Sequence, residues 1–131
     1  NDLEGLEQKR YPRAINRQKF IRSAIETWLR DASSINAQVL KGLREMITVR
    51  QQVSQFHPLG RYSFPPIEDG LLAIERRPLK EGPRLLAYFN LTQSAKRLQL
   101  SAECNDLMEN RSKKGEIELH AYDFVWLLEG S

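Results

Sequence analysis

Few residues in this chain of 131 are of a type and spacing that could do chemistry. Its two histidines, His57 and His120, stand alone, neither with a second ligand at metal-binding spacing, so each reads as structural. Cys104 is the only cysteine, which rules out an internal disulfide and a thiolate metal cluster. Glu103, Asn105 and Asp106 give that thiol an acidic setting, which raises its pKa, the wrong direction for a nucleophile. Glu116 and Glu118 are two apart on one strand, so both point outward and are most simply solvated. Arg50 projects into an apolar helical stripe, either snorkelling to water or clamped to a carboxylate or carbonyls of another element. Tyr88, Phe89, Tyr122, Phe124 and Trp126 could stack on a sugar, but at strand spacing aromatics more often fill a core. Neither GxGxxG nor GxxxxGK[ST] occurs. The residues imply no catalytic set, no metal and no cofactor.

The elements that carry these residues fall into two halves. From Ser33 to Gly60, Ile35, Val39, Leu43, Met46, Ile47 and Val53 recur at helical spacing, the pattern of a helix with a buried stripe. Ser33 and Ser34 can cap it, and Phe56-His57-Pro58-Leu59-Gly60 ends it. Gly42, costly inside a helix, points to close packing. An earlier helix is marked by Phe20, Ile21, Ala24, Ile25, Trp28 and Leu29, with Asn16 as its N-cap. Asn1–Pro12 reads as a long loop.

Beyond Gly60 the period becomes two. Leu71–Arg77 predicts a strand with Leu72 and Ile74 inward, Pro78–Pro83 a hairpin turn, and Arg84–Leu91 a central strand. Lys96–Ala102 places Leu98, Leu100 and Ala102 inward, Asn105–Gly115 is polar and turn-rich, and Glu116–Leu128 places Ile117, Leu119 and Ala121 on one face. The fold class is α+β: two N-terminal helices followed by an antiparallel all-β sandwich, with the domain boundary at 58/59.

With 40% hydrophobic and 28% charged residues the composition is that of a globular protein. No apolar run approaches the roughly 18 residues that span a bilayer, so no membrane association is expected, and one cysteine suits a reducing, cytoplasmic setting. Residues 1–56 hold ten Lys/Arg against six Asp/Glu, a charge of +4, and residues 57–131 ten against eleven, a charge of −1. No run of five or six like charges occurs, so the basic half reads as ordinary solvated helix faces. A first residue other than Met suggests a processed chain or an excised piece.

Three segments together resemble a known family. Asn1-Asp2-Leu3-Glu4-Gly5 followed by Arg13-Ala14-Ile15-Asn16-Arg17 resembles the active-site loop beyond the last barrel strand in sucrose phosphorylase-like members of the α-amylase superfamily. Leu43-Arg44-Glu45-Met46-Ile47-Thr48-Val49-Arg50, running into Phe56-His57-Pro58, resembles that family's last barrel helix and its exit to the C-terminal domain. Gly115–Leu127 resembles its closing strands, with Ala121 and Asp123 where Pro and Gly are common. Ala14 and Tyr11-Pro12 are similar to the glucosylglycerate phosphorylase branch, whereas sucrose phosphorylases usually have Asp at the position of Ala14.

The resemblance implies that residues 1–58 are the tail of a catalytic (β/α)8 barrel and 59–131 a C-terminal β-sandwich. It implies a retaining enzyme whose nucleophile, acid/base and sugar-holding carboxylates lie upstream, so that this piece is non-catalytic. It assigns Arg13 to phosphate or acceptor recognition and Asn16 and Arg17 to bracing the loop. A small carbohydrate and phosphate would be the partners of the intact protein, and the isolated piece, lacking the rest of its barrel, would self-associate. Two other readings stand beside it: a sugar-binding module, if two of Tyr88, Tyr122 and Trp126 form an exposed coplanar pair, and a nucleic-acid-binding helix pair with a β-wing.

Overall fold

A computed structural model of the protein describes Glu7, Gln8, Arg10 and residues 20–130. The chain divides into two compact units, Asn1–Leu43 and Arg44–Ser131, a division that falls inside the second helix and ahead of the 58/59 boundary.

Helix α1 spans Arg22–Arg30. Its N-cap is Ile21, in an extended conformation and with no capping side chain, so Asn16 does not start it. Phe20 and Ile21 precede the helix, and the Phe20 ring meets Trp28 edge-on at 6.3 Å. Helix α2 spans Ile35–Gln52. Ser34 caps it, its Oγ accepting the Ala37 N–H at 3.2 Å, while Ser33 bonds to Asp31 instead. The helix stops earlier than Pro58 requires, passing through Val53 into a 3₁₀ turn at Ser54–Phe56.

Neither helix contains a buried residue, which corrects the expected buried stripe. Ile35 is 74% exposed, Val39 55%, Leu43 48% and Ile47 53%. The periodicity is real, but nothing among the described residues covers it. Gly42 lies in the same stripe, and a Cβ added there would meet nothing within 4 Å among the described residues, so its expected close contact is not made by them.

Eight strands follow: β1 (Arg61–Ser63), β2 (Leu71–Arg77), β3 (Leu85–Asn90), β4 (Lys96–Gln99), β5 (Cys104–Asp106), β6 (Arg111–Lys113), β7 (Glu116–Leu119) and β8 (Phe124–Glu129). Six form an antiparallel sheet in the order β1-β2-β3-β8-β5-β6, and β4 and β7 pair as a second, two-stranded sheet. The core lies between the sheets. Leu71, Leu86, Val125 and Leu127 meet Leu98, Leu100 and Leu119 there, with Tyr88 and Ile117 at the margin. Burial of this apolar surface is the main favourable term holding the sheets together.

Several strand expectations need correcting. On β2, Leu71 and Ala73 are buried, while Leu72 and Ile74 are half-buried on the opposite face. Both faces of β2 are apolar, so alternation marked the faces without saying which one met the core. Strand β4 ends at Gln99, leaving Ala102 exposed. Glu116–Leu128 is two strands, broken at His120–Asp123 by a turn in which Tyr122 adopts φ +59° and Ala121 is exposed. The polar stretch 105–115 contains most of the β5–β6 hairpin. An ion pair takes the place of apolar side chains there: Lys113 Nζ lies 2.8 Å from the buried Asp106 carboxylate. Burial opposes the charge on Lys113, and hydrogen bonds to Asp106 and Glu109 more than offset it, raising its pKa.

Two positions fix how the sandwich closes. Gly70, at φ +86°, opens β2, and a Cβ there would come within 2.4 Å of Thr92. Asn90, 1% exposed, ends β3. Its amide donates to the carbonyls of Ser94 (2.7 Å), Leu119 (3.2 Å) and His120 (2.8 Å), and its Oδ1 accepts from the Thr92 N–H (3.0 Å) and hydroxyl (2.8 Å). One side chain thereby ties the large sheet to the end of β7.

Candidate functional site

Arg13, Asn16 and Arg17, the residues singled out for substrate and loop roles, lie outside the described residues. The other candidates are dispersed rather than brought together. His57 is exposed, its Nδ1 accepting the Leu59 N–H at 3.2 Å, and His120 is exposed 3.7 Å from Glu118. Among the described residues no group of three His, Cys, Asp or Glu could hold a metal ion. Glu116 and Glu118 face outward on β7, flanking Arg97 of β4 at 3.5 and 3.7 Å. Cys104 is buried on β5, and its thiol pKa is raised first by burial and then by the Glu129 charge. The direction is that expected from sequence, but the cause differs: burial outweighs the acidic neighbours.

The aromatics are mostly packed. Trp126 lies 4.8 Å from Phe56 and 5.6 Å from Phe124, Phe89 stacks on Phe124 at 6.1 Å, and Tyr88 borders the core. Tyr122 is exposed on its turn. No coplanar pair forms among Tyr88, Tyr122 and Trp126, the arrangement a stacking platform for sugar would need.

Two polar constellations are built instead. The first is the joint between the exit of α2 and the sheet, on the face away from the core. Gln55, 4% exposed, donates its side-chain amide to the Pro83 carbonyl at 2.8 Å. Arg76 of β2 reaches back, donating to the carbonyls of Gln55 (2.8 Å) and His57 (2.9 Å). Phe56 seats on Trp126, and the Arg50 guanidinium stands 6.0 Å over the Phe56 ring, at the outer limit of a cation–π contact. Arg50 is exposed, so it is not a buried charge clamped to another element. The joint satisfies carbonyls that a tight connection would strand, and it orients the chain leaving α2. Gln55 escaped sequence reading because a single polar residue after a helix has no period to mark it.

The second constellation is an ionic ladder at the end of the large sheet. Arg84 bridges Glu75 (3.1 Å) and Glu129 (2.6 Å), and Arg77 Nε adds a bond to Glu75 at 2.7 Å. Burial pushes the Glu75 carboxyl up, and hydrogen bonds from Arg77 and Arg84 outweigh it, leaving its pKa below the ordinary glutamate value. The Glu129 bond raises the Arg84 pKa further above its already high value. A glycosidase acid must hold its proton near neutrality. Glu75 is held as an anion by the guanidinium groups of Arg77 and Arg84, which is not the state of a general acid.

No protein-family model matches the chain. Over 129 residues, 97% of its length, it is 28% identical to glucosylglycerate phosphorylase of Escherichia coli (strain K12). The sequence likeness is to a glycoside phosphorylase. The chain spans 23% of that relative's length. Among solved structures it is similar to XgtA, an α-glucosyl transfer enzyme, with a TM-score of 0.62 at 19% identity, covering 80% of this chain and 19% of that one. It is similar to AmyP, in a structure with maltose, with a TM-score of 0.62 at 11% identity, covering 71% and 20%. At these identities the structural likeness is one of fold alone: two helices followed by an antiparallel sheet-rich region. Sequence and fold together bear out the resemblance to the C-terminal part of a sucrose phosphorylase-like enzyme of that superfamily, on its glucosylglycerate phosphorylase side.

Proposed function

We propose that this chain is the C-terminal part of a retaining glycoside phosphorylase or hydrolase acting on a small α-glucoside, of glucosylglycerate or sucrose type, and that it is itself structural and non-catalytic. The observation that carries this reading is a likeness running along 97% of the chain to less than a quarter of a phosphorylase. Residues 1–58 then close the catalytic barrel, and 59–131 are the appended sandwich, in a cytoplasmic enzyme. The Gln55–Arg76 joint fixes the chain leaving the helix to the sandwich. The apolar stripe of α2, bare within this chain, packs in the larger protein against its barrel, as exposed apolar faces of this kind commonly mark a partner. Arg13 contacts phosphate or the acceptor, for which a guanidinium fork is suited, and Asn16 and Arg17 brace its loop.

The test is an assay of glucose 1-phosphate release from glucosylglycerate or sucrose with phosphate. The 131-residue chain should release none, and the longer protein should be active. In the longer protein Arg13→Ala should weaken phosphate use by about ten- to a hundredfold, the loss expected for one charge-assisted hydrogen bond, with the melting temperature unchanged. Release by the 131-residue chain, or an Arg13→Ala variant with normal phosphate dependence and lowered stability, would contradict the reading.

A further inference from the structure

The β1 edge of the sheet carries a concentration of cations, Arg61, Arg77 and Lys80, of which only Arg77 also serves the ladder, through its Nε. In the register of β1 on β2, Arg61 stands directly opposite Arg77. Like charges so placed repel and weaken a strand pair, unless something of opposite sign lies between them. Arg77 spends only its Nε on Glu75, leaving its terminal nitrogens uncommitted among the described residues. Arg61 and Lys80 have no ion-pair or hydrogen-bonding side-chain partner among the described residues. Gly60 permits Arg61 to enter the strand, since a Cβ at residue 60 would lie 2.8 Å from the Arg77 carbonyl. The β2–β3 turn, Pro78–Gly82, lines one groove together with the pair, so that Lys80, Arg61 and Arg77 share its wall. A second groove is lined by the same two arginines with Tyr62, Ser63 and Glu75. Glu81 lines the first groove and Glu75, already bonded to Arg77 and Arg84, lines the second, so three cations face two carboxylates, one of which is shared with the ladder.

The geometry points to a binding site at the β1 edge for a compact phosphoryl dianion, either inorganic phosphate or the phosphate of a small sugar ester, held between Arg61 and Arg77 with Lys80 lining the same groove. Guanidinium forks from opposite strands present donors to different oxygens of a tetrahedral group, and the dianion removes the repulsion between them. Three cations on a short, concave edge suit a small ligand and are too few for a polyanion track. The site uses residues that the proposed function leaves without a role, and it is testable on this chain alone.

The experiment is a backbone chemical-shift titration of the 131-residue chain with sodium phosphate, ionic strength held constant with sodium chloride. Saturable shifts confined to residues 61–63 and 76–82 are expected. Arg61→Gln and Lys80→Gln should each raise the dissociation constant about tenfold, the order of one charge-assisted contact. In chloride alone Arg61→Gln should melt no lower than the parent, because it removes a like-charge contact, while losing the stabilisation that phosphate gives. A parallel titration with glucose 1-phosphate separates the two sources of the ligand: equal affinity at the same residues assigns free phosphate, and tighter binding with added shifts at Tyr62 assigns a sugar phosphate. The site is overturned if no saturable shift appears, if chloride produces the same shifts, or if both variants bind phosphate as the parent does.

Discussion

At the scale of single residues, stability turns on buried polar groups whose partners are all supplied. Asn90 is the clearest, satisfying three carbonyls and two donors from a position that is 1% exposed. Asn90→Ala should cost about 3 kcal/mol in chemical denaturation, the order expected when buried carbonyls lose their donor. Asn90→Asp should cost no less, since a carboxylate would then face three carbonyl oxygens. Glu75 gives a pH dependence. Its folded pKa is depressed, so its contribution is present above the unfolded value and is lost as pH falls through the folded one. Between about pH 5 and pH 3, Glu75→Gln should therefore lose less stability than the parent in parallel melts. Neither Asn90 nor Glu75 was legible in sequence, because a hub or clamp is made by partners far along the chain. The direction of the Cys104 thiol shift agrees with the sequence reading, but its main cause, burial, was not legible there.

At the scale of elements, hydrophobic period located both helices and most strands but did not say what each apolar face meets. Leu98 and Leu119 were correctly read as inward because the other face of their strands is polar. Leu72 and Ile74 were misassigned because β2 is apolar on both faces, and β5 and β6 were missed because their core-side contact is the Asp106–Lys113 pair. The stripe of α2 was read as buried, and it is bare. Gly42 tests what that stripe is for. Among the described residues nothing crowds a Cβ there, so in the 131-residue chain Gly42→Ala should stabilise α2 by up to about 1 kcal/mol through helix propensity. In the longer protein of the proposed reading the same substitution should be neutral or destabilising, because a helix packed on the stripe would meet the new methyl. Thermal melts of the two pairs of proteins give the two signs.

At the scale of the whole molecule, the residues by themselves specified a helix-then-sheet chain without an active site. The functional reading came from short motifs held in order along the sequence. The fold and the family likeness were accessible in that way. The β1-edge cations were not, since only strand register sets Arg61 against Arg77. What the chain does as a unit rests on one physical claim: the sandwich is complete in itself, while the helical stripe awaits a partner. Backbone amide hydrogen exchange tests this most directly, because it reports local opening free energies along the chain. Amides of β3 and β8 should exchange only through global unfolding, and those of α1 and the first half of α2 much faster, unless raised protein concentration protects them through self-association. Equal protection of α1, α2, β3 and β8 in a monomer, independent of concentration, would contradict the claim.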